Sequence, residues 1–161
     1  MSKTAEDILR SEWDLLKKTS ILSQIGCSAG PKKYKGIYDM FHWNVLLPAP
    51  KHSLYGGYMF QFEIAFPSNY PNSPPTVTCK TDVYHMNISK SGDVLIPDII
   101  KNGRKAFHDI STVIISIFTL FSKPNPHCAY RMEIANLYKS NHEQYEKNVK
   151  DYCAQHALKI A

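Results

Sequence analysis

The side chains best suited to nucleophilic or metal chemistry in this sequence are four cysteines, at positions 27, 79, 128 and 153, and seven histidines. A thiolate attacks carbonyl carbon readily, and an adjacent imidazole can keep a thiol deprotonated. Cys128 follows His127 directly, so it is the cysteine to which that chemistry applies. No pair is spaced CxxC, and no histidines follow an HExxH rhythm, so neither a zinc site nor a disulfide framework is expected. No metal and no cofactor is expected. Cys79 lies in the run Thr76-Val77-Thr78-Cys79, which has the look of a strand, and is expected in the core. His85 and Asn87 stand two residues apart in a long aperiodic stretch, where their side chains can satisfy backbone groups of a loop.

These groups need elements to position them. Thr4 can cap a first helix, with Asp7 three residues on, and Leu9, Trp13 and Leu16 recur at helical spacing up to Lys17-Lys18. A polar loop carrying Cys27 to Pro31 is expected next. Phe41, Trp43, Val45 and Leu47 then alternate with His42 and Asn44, and Phe60, Phe62, Ile64 and Phe66 alternate with Gln61 and Glu63. Two half-buried strands follow from that period. The four prolines between Pro67 and Pro75 demand a rigid loop before a third short strand at 76–80. Positions 82–104 read as a long ordered loop with an extended piece at Val94-Leu95-Ile96. Helices are expected over 110–121, capped by Asp109 or Ser111, over 130–138, and from Ser140 or Asn141 onward with a stripe of Tyr145, Val149 and Tyr152. One α+β domain spanning 1–161 follows.

Composition narrows the function classes. With 43% hydrophobic and 20% charged residues, the chain has the make-up of a soluble globular protein. No apolar run approaches the ~20 residues of a membrane span. The polar N-terminus lacks the apolar core of a signal peptide, so a cytoplasmic or nuclear protein is expected. No membrane partner is expected. The net charge is +5, concentrated in Lys32-Lys33-Tyr34-Lys35 and Lys101-Asn102-Gly103-Arg104-Lys105. Both clusters are read as solvated loops; Tyr34 is the one aromatic residue among them, so a nucleic-acid partner is not expected.

An ordered set of local words carries a resemblance: Cys27-Ser28-Ala29-Gly30-Pro31, Phe41-His42-Trp43, Phe66-Pro67-Ser68-Asn69-Tyr70-Pro71, Pro74-Pro75 and Tyr84-His85-Met86-Asn87. Ile110-Ser111, Pro124-Asn125-Pro126, Glu133-Ile134-Ala135 and Leu137-Tyr138-Lys139 continue it. From Leu9 to Ala157 the chain resembles the ubiquitin-conjugating enzymes, most of all the broad-specificity members that serve RING ligases. The resemblance implies a four-stranded antiparallel sheet with an N-terminal helix and three C-terminal helices. It implies a cysteine that carries ubiquitin as a thioester, and a His-Pro-Asn motif whose Asn stabilises the oxyanion when a lysine attacks.

The sequence departs from that pattern at its centre. The motif reads His85-Met86-Asn87, and methionine restores backbone freedom that proline removes. The family cysteine lies eight residues past the Asn, at Leu95; counting back from the next helix gives Ile96. Neither side chain has a nucleophilic atom. Asn72-Ser73 replaces the apolar residue that relatives offer to ligases, and Lys105, Ala106 and Phe107 replace their Ser-Pro-Ala ligase loop. His127-Cys128 replaces an acidic pair. The first helix carries Glu6, Asp7, Glu12 and Asp14 where relatives present a more basic face to the activating enzyme.

The expected function is therefore that of a catalytically inactive homologue acting as a non-covalent binding or scaffold module in ubiquitin or ubiquitin-like conjugation. Its partners would be the modifier itself, an active conjugating enzyme or a RING ligase. The alternative is an active enzyme with its nucleophile relocated to Cys128. Strand alternation also turns His42, Asn44, Leu46, Met59, Gln61 and Glu63 toward an outer sheet face, and the resemblance implies that Ser28 borders it. The resemblance implies that this region docks ubiquitin without a thioester, and Leu46 and Met59 would be its apolar centre.

Overall fold

The computed structural model describes residues 3–96 and 109–160. Helix α1 (Ala5–Lys18) opens with the expected capping box: Asp7 N–H donates to Thr4 Oγ1, and Thr4 N–H donates to the Asp7 carboxylate. A short helix, α2 (Ile21–Ile25), follows and ends on Gly26 in the left-handed region, where φ is 73°. Five residues are too few to show a period, so this element is invisible to sequence patterning.

The sheet is antiparallel. Strands β1 (Ser28–Tyr34), β2 (Ile37–Pro48), β3 (Tyr58–Ala65) and β4 (Thr76–Cys79) lie in that order, and β5 (Leu158–Lys159) pairs with the start of β3. The implied four strands are present, and β5 adds a two-residue fifth. The polar loop expected at Cys27 to Pro31 is instead largely β1. A strand holding Gly30, Pro31 and two lysines shows no apolar alternation, and it is tolerated because β1 is an edge strand.

Inner-face residues Trp43, Val45 and Leu47 of β2 face Ile64, Phe62 and Phe60 of β3, and all six are buried. Phe41 departs from the expected alternation. Pro31 pairs with Trp43 while Lys32 pairs with Asp39, so Met40 to His42 bulge opposite a single peptide link. Met40 consequently takes the buried position, and Phe41 is half-buried.

Three further helices, α3 (Ile110–Ser122), α4 (Met132–Ser140) and α5 (His142–His156), complete the chain. The seven β-branched residues of α3 cost roughly 3 kcal/mol of helix propensity relative to alanine. Burial of Ile110, Val113, Ile114, Ile117, Leu120 and Phe121, at about 2 kcal/mol each, outweighs this. Phe121 stacks on Phe60 at 4.7 Å, which seats the helix on the sheet. Asp109 caps α3 and Asn141 caps α5. In α5 the buried stripe is Tyr145, Val149 and Cys153; Tyr152 is only half-buried and donates to Asp82 Oδ1 at 2.8 Å.

The carboxylates of α1 are already committed within the protein. Glu6 pairs with Arg10, Asp14 pairs with Lys17, and Asp7 forms the cap. Glu12 points inward, where Oε1 accepts from Tyr70 Oη at 2.8 Å and from Ile110 N–H at 2.9 Å. One oxygen thus ties α1 to the Pro-rich loop and to the first turn of α3, and burial pushes its carboxyl above the usual range. Glu12 is a brace between elements, and the acidic face expected on this helix loses its central member. Glu12→Ala strands the two donors and should destabilise the fold by about 1–3 kcal/mol in urea unfolding, whereas Glu12→Gln, which keeps the acceptor, should cost well under half of that.

Candidate functional site

Residues 80–96 run across the molecule with little regular structure, and specific bonds fix their course. Lys80 N–H donates to Gln61 O, Tyr55 Oη to Tyr84 O at 2.5 Å, and the Arg131 side chain to Val83 O at 3.0 Å. At the centre, His85 and Asn87 are fully buried, the two polar side chains among the described residues that are.

His85 accepts from Asn87 N–H at Nδ1, 3.0 Å, and its Nε2 faces Leu120 O at 2.9 Å. That pairing assigns the neutral tautomer with its proton on Nε2. Leu120 O belongs to the last turn of α3, whose carbonyls have no intrahelical donor. Burial holds the His85 pKa down at about 4.

The Asn87 amide bridges to the loop after α3. Its Nδ2 donates to Asn125 O at 2.9 Å and to Cys128 O at 2.6 Å, while Oδ1 accepts from Asn125 N–H at 2.8 Å. A flipped amide would face two carbonyls with its oxygen, so the orientation is forced. Both amide protons are in use.

Asn87 O also accepts from Leu95 N–H at 2.9 Å, across a bridge between Ile88 and Val94. The main chain of Leu95 is therefore fastened to the histidine–asparagine element, and its side chain is half-buried. Ile96 is buried and lines a hollow of about 270 Å³ with Pro74, Val77, Val94 and Tyr130. Met86, expected to loosen this turn, is fully buried, and its carbonyl accepts from Arg131 N–H at 3.1 Å.

The cysteines separate by burial. Cys27, Cys79 and Cys153 are buried, and burial pushes their thiols up, the first two to about 12 and the third to about 11. Cys128 is exposed, as is His127. Asn72 is exposed on the Pro-rich loop, where its N–H closes a turn onto Asn69 O. Lys105, Ala106 and Phe107 lie outside the described residues, as does the second basic cluster. Among the described residues no group of His, Cys, Asp and Glu is placed to hold a metal ion.

The residues expected on the outer sheet face do share it. Ser28 pairs with Leu46, Gly30 with Asn44, Leu46 with Gln61 and Asn44 with Glu63, and Ser28, Gly30, Asn44, Leu46 and Gln61 line a depression of about 400 Å³. Its polar and apolar parts are arranged differently from expectation. Glu63 pairs with Lys32 at 2.8 Å and with Lys80 at 3.8 Å, and the Lys32 ammonium lowers its pKa. His42 is engaged by Asp39 at 2.7 Å. Leu46 and Met59 are both half-buried, and Met59 lies between Pro48 on β2 and Leu158 on β5. The apolar part thus reaches one end of the face through the fifth strand, a residue set that three-strand patterning does not reveal.

The profile of the family described as ubiquitin-conjugating enzyme matches residues 8–153 of this chain. The chain belongs to the ubiquitin-conjugating enzyme family. A probable ubiquitin-conjugating enzyme of Acanthamoeba polyphaga mimivirus is 36% identical over 119 residues, covering 74% of this chain and 75% of the viral protein. The α+β architecture, with its antiparallel sheet, N-terminal helix and C-terminal helices, is that of this family.

Charging His85 would break its bond pattern inside the core. Its folded pKa of about 4 lies below the 6.5 of a free histidine, so below pH 6.5 the unfolded chain takes up a proton that the folded chain refuses. Stability is complete above pH 6.5 and falls as the pH drops toward 4, by up to about 3 kcal/mol. Urea midpoints measured between pH 7 and pH 5 should fall accordingly, and His85→Gln should flatten that slope whatever its effect at pH 7.

Proposed function

We propose that this chain is a ubiquitin-conjugating enzyme homologue that forms no thioester and works as a non-covalent binding or scaffold module in ubiquitin or ubiquitin-like conjugation. The observation that carries this reading is Leu95. It lies eight residues past Asn87, where the family resemblance expects the cysteine, and its N–H is bonded to the Asn87 carbonyl. Its aliphatic side chain has nothing with which to attack a thioester, and the neighbouring Ile96 is buried. The saturated amide of Asn87 supports the same reading, since donation to an oxyanion would first break a bond to Asn125 O or Cys128 O. The exposed polar Asn72 argues for ligase contacts that differ from those of active relatives.

The modifier is the partner we assign to the outer face, and an active conjugating enzyme or a RING ligase is the second component of the scaffold. The absence of clustered thiols fits a cytoplasmic or nuclear setting. A second reading, transfer through Cys128, draws on one observation: this is the exposed cysteine among the four, and its carbonyl is bonded to Asn87.

Incubation with activating enzyme, ATP and ubiquitin, followed by non-reducing electrophoresis, separates the two. The wild-type chain should give no thiol-sensitive adduct. An adduct abolished by Cys128→Ser would establish the second reading in place of the first. Leu95→Cys should charge far more slowly than an active family member, because the acidic first helix, Met86 and the sequence around Pro97 also differ from active relatives; charging at the rate of an active enzyme would mean that only the thiol was missing.

Binding at the outer face is expected to be weak, near ~100 μM or about −5 kcal/mol, as suits a small surface with a polar rim. Titration of the labelled chain with ubiquitin should shift amides of Ser28, Asn44, Leu46 and Gln61. Ser28→Arg, which fills the depression opposite Leu46, should abolish those shifts, and unchanged binding by that variant would remove this face from the assignment.

A further inference from the structure

The first basic cluster, expected as a solvated loop, forms the tip of the hairpin joining β1 to β2. Lys35 and Gly36 occupy the two turn positions with φ of 50° and 82°, the backbone pattern of a tight hairpin turn. The residues flanking the turn, Tyr34 and Ile37, face each other across it. They are 72% and 73% exposed, the two most exposed large apolar side chains among the described residues. An apolar knob thus projects into water at the end of the sheet.

Cations surround that knob. Lys35 Nζ lies 5.5 Å from the Tyr34 ring, and Lys33 Nζ lies 5.1 Å from the ring of Tyr38. Tyr38 packs edge-on against Trp13 at 4.9 Å, and Lys17 covers Trp13 at 4.1 Å, so α1 extends the same surface. Neither Lys33 nor Lys35 has an ion-pair partner among the described residues, and the nearest carboxylate in the hairpin, Asp39, is bonded to His42 and to Phe41 N–H.

We propose that this hairpin tip docks on an anionic lipid surface, with Tyr34 and Ile37 entering the headgroup region and Lys33 and Lys35 lying against the lipid phosphates. The placement of charge and apolar area selects that occupant. Apolar side chains at the apex with lysines behind them match the order of acyl boundary and headgroup in a bilayer. Single-stranded nucleic acid calls for a groove with several free ring faces. Here the tip is convex, one apex residue is aliphatic, and Trp13 already carries Tyr38 and Lys17. A soluble acidic segment would satisfy the lysines and leave Tyr34 and Ile37 in water. Surface attachment of this kind needs no spanning helix, and among the described residues none is long and apolar enough to be one. The inference is independent of the conjugation chemistry.

Flotation of the full chain with phosphatidylcholine vesicles, with and without phosphatidylserine, tests it. The chain should float with the anionic vesicles alone, and less so as salt rises. Lys33→Glu and Lys35→Glu should each weaken binding about fivefold or more. Tyr34→Ser with Ile37→Ser, at positions too exposed to unsettle the fold, should abolish flotation at physiological salt while thermal unfolding stays unchanged. Failure of the wild-type chain to float would overturn the proposal. So would full binding by the Tyr34→Ser, Ile37→Ser variant, equal binding to neutral vesicles, or complete displacement by a soluble oligonucleotide or polyglutamate, each of which would leave no role for the apolar tip.

Discussion

A segment without regular hydrogen bonding can lie against a protein core only if its backbone groups, and those of the elements it covers, find partners elsewhere. His85 and Asn87 solve that problem for residues 80–96. The imidazole closes a carbonyl at the end of α3, and the amide closes three backbone groups of the following loop. Because both side chains are fully buried, each bond made is also a desolvation penalty avoided, of about 1–3 kcal/mol per group left open. Residues 80–96, the end of α3 and the loop that follows it are thereby fixed to one another.

The same economy bears on catalysis. A side chain whose donors are all engaged in the ground state is a poor electrostatic catalyst, since charge developing nearby must compete for a proton already shared. The burial and bonding of His85 and Asn87 have a structural explanation that is independent of any catalytic one. Either side chain, if removed, would leave carbonyls or N–H groups unpaired inside the protein. The two polar members of the motif thus have a structural role of their own, and motif words alone do not establish activity.

Much of the fold was legible because long elements carry long periods. The capping residues Thr4, Asp109 and Asn141 and the inner faces of β2 and β3 follow from local chemistry, and the structure has them where that chemistry puts them. What escaped the reading depends on partners distant in sequence. Strand β1 earns its place by pairing at an edge, β5 is two residues long, and the Met40 bulge exists only relative to Lys32. Glu12 shows the limit most clearly. On a helical wheel it is one more surface acid, but its partners Tyr70 and Ile110 lie 58 and 98 residues away. At the candidate site, Leu95 could be named from the family resemblance and Cys128 from its neighbour His127, whereas the saturation of Asn87 required knowing where the Asn125 and Cys128 carbonyls fall.

Met86 completes the argument. A proline at that position would stiffen the turn by fixing φ, an effect exerted chiefly on the unfolded chain. Methionine forgoes that restriction, yet its side chain is fully buried, its carbonyl is bonded to Arg131 N–H, and the Arg131 side chain holds the carbonyl of Val83 just before it in the chain. Here the native turn is rigid because packing and Arg131 hold it. The cost of losing the proline therefore falls on the unfolded state, where it lowers stability by about 1 kcal/mol or less, and leaves the geometry around Asn87 intact. The shape of this turn therefore rests on the pairing of the buried polar groups beneath it, and no proline is needed to hold it.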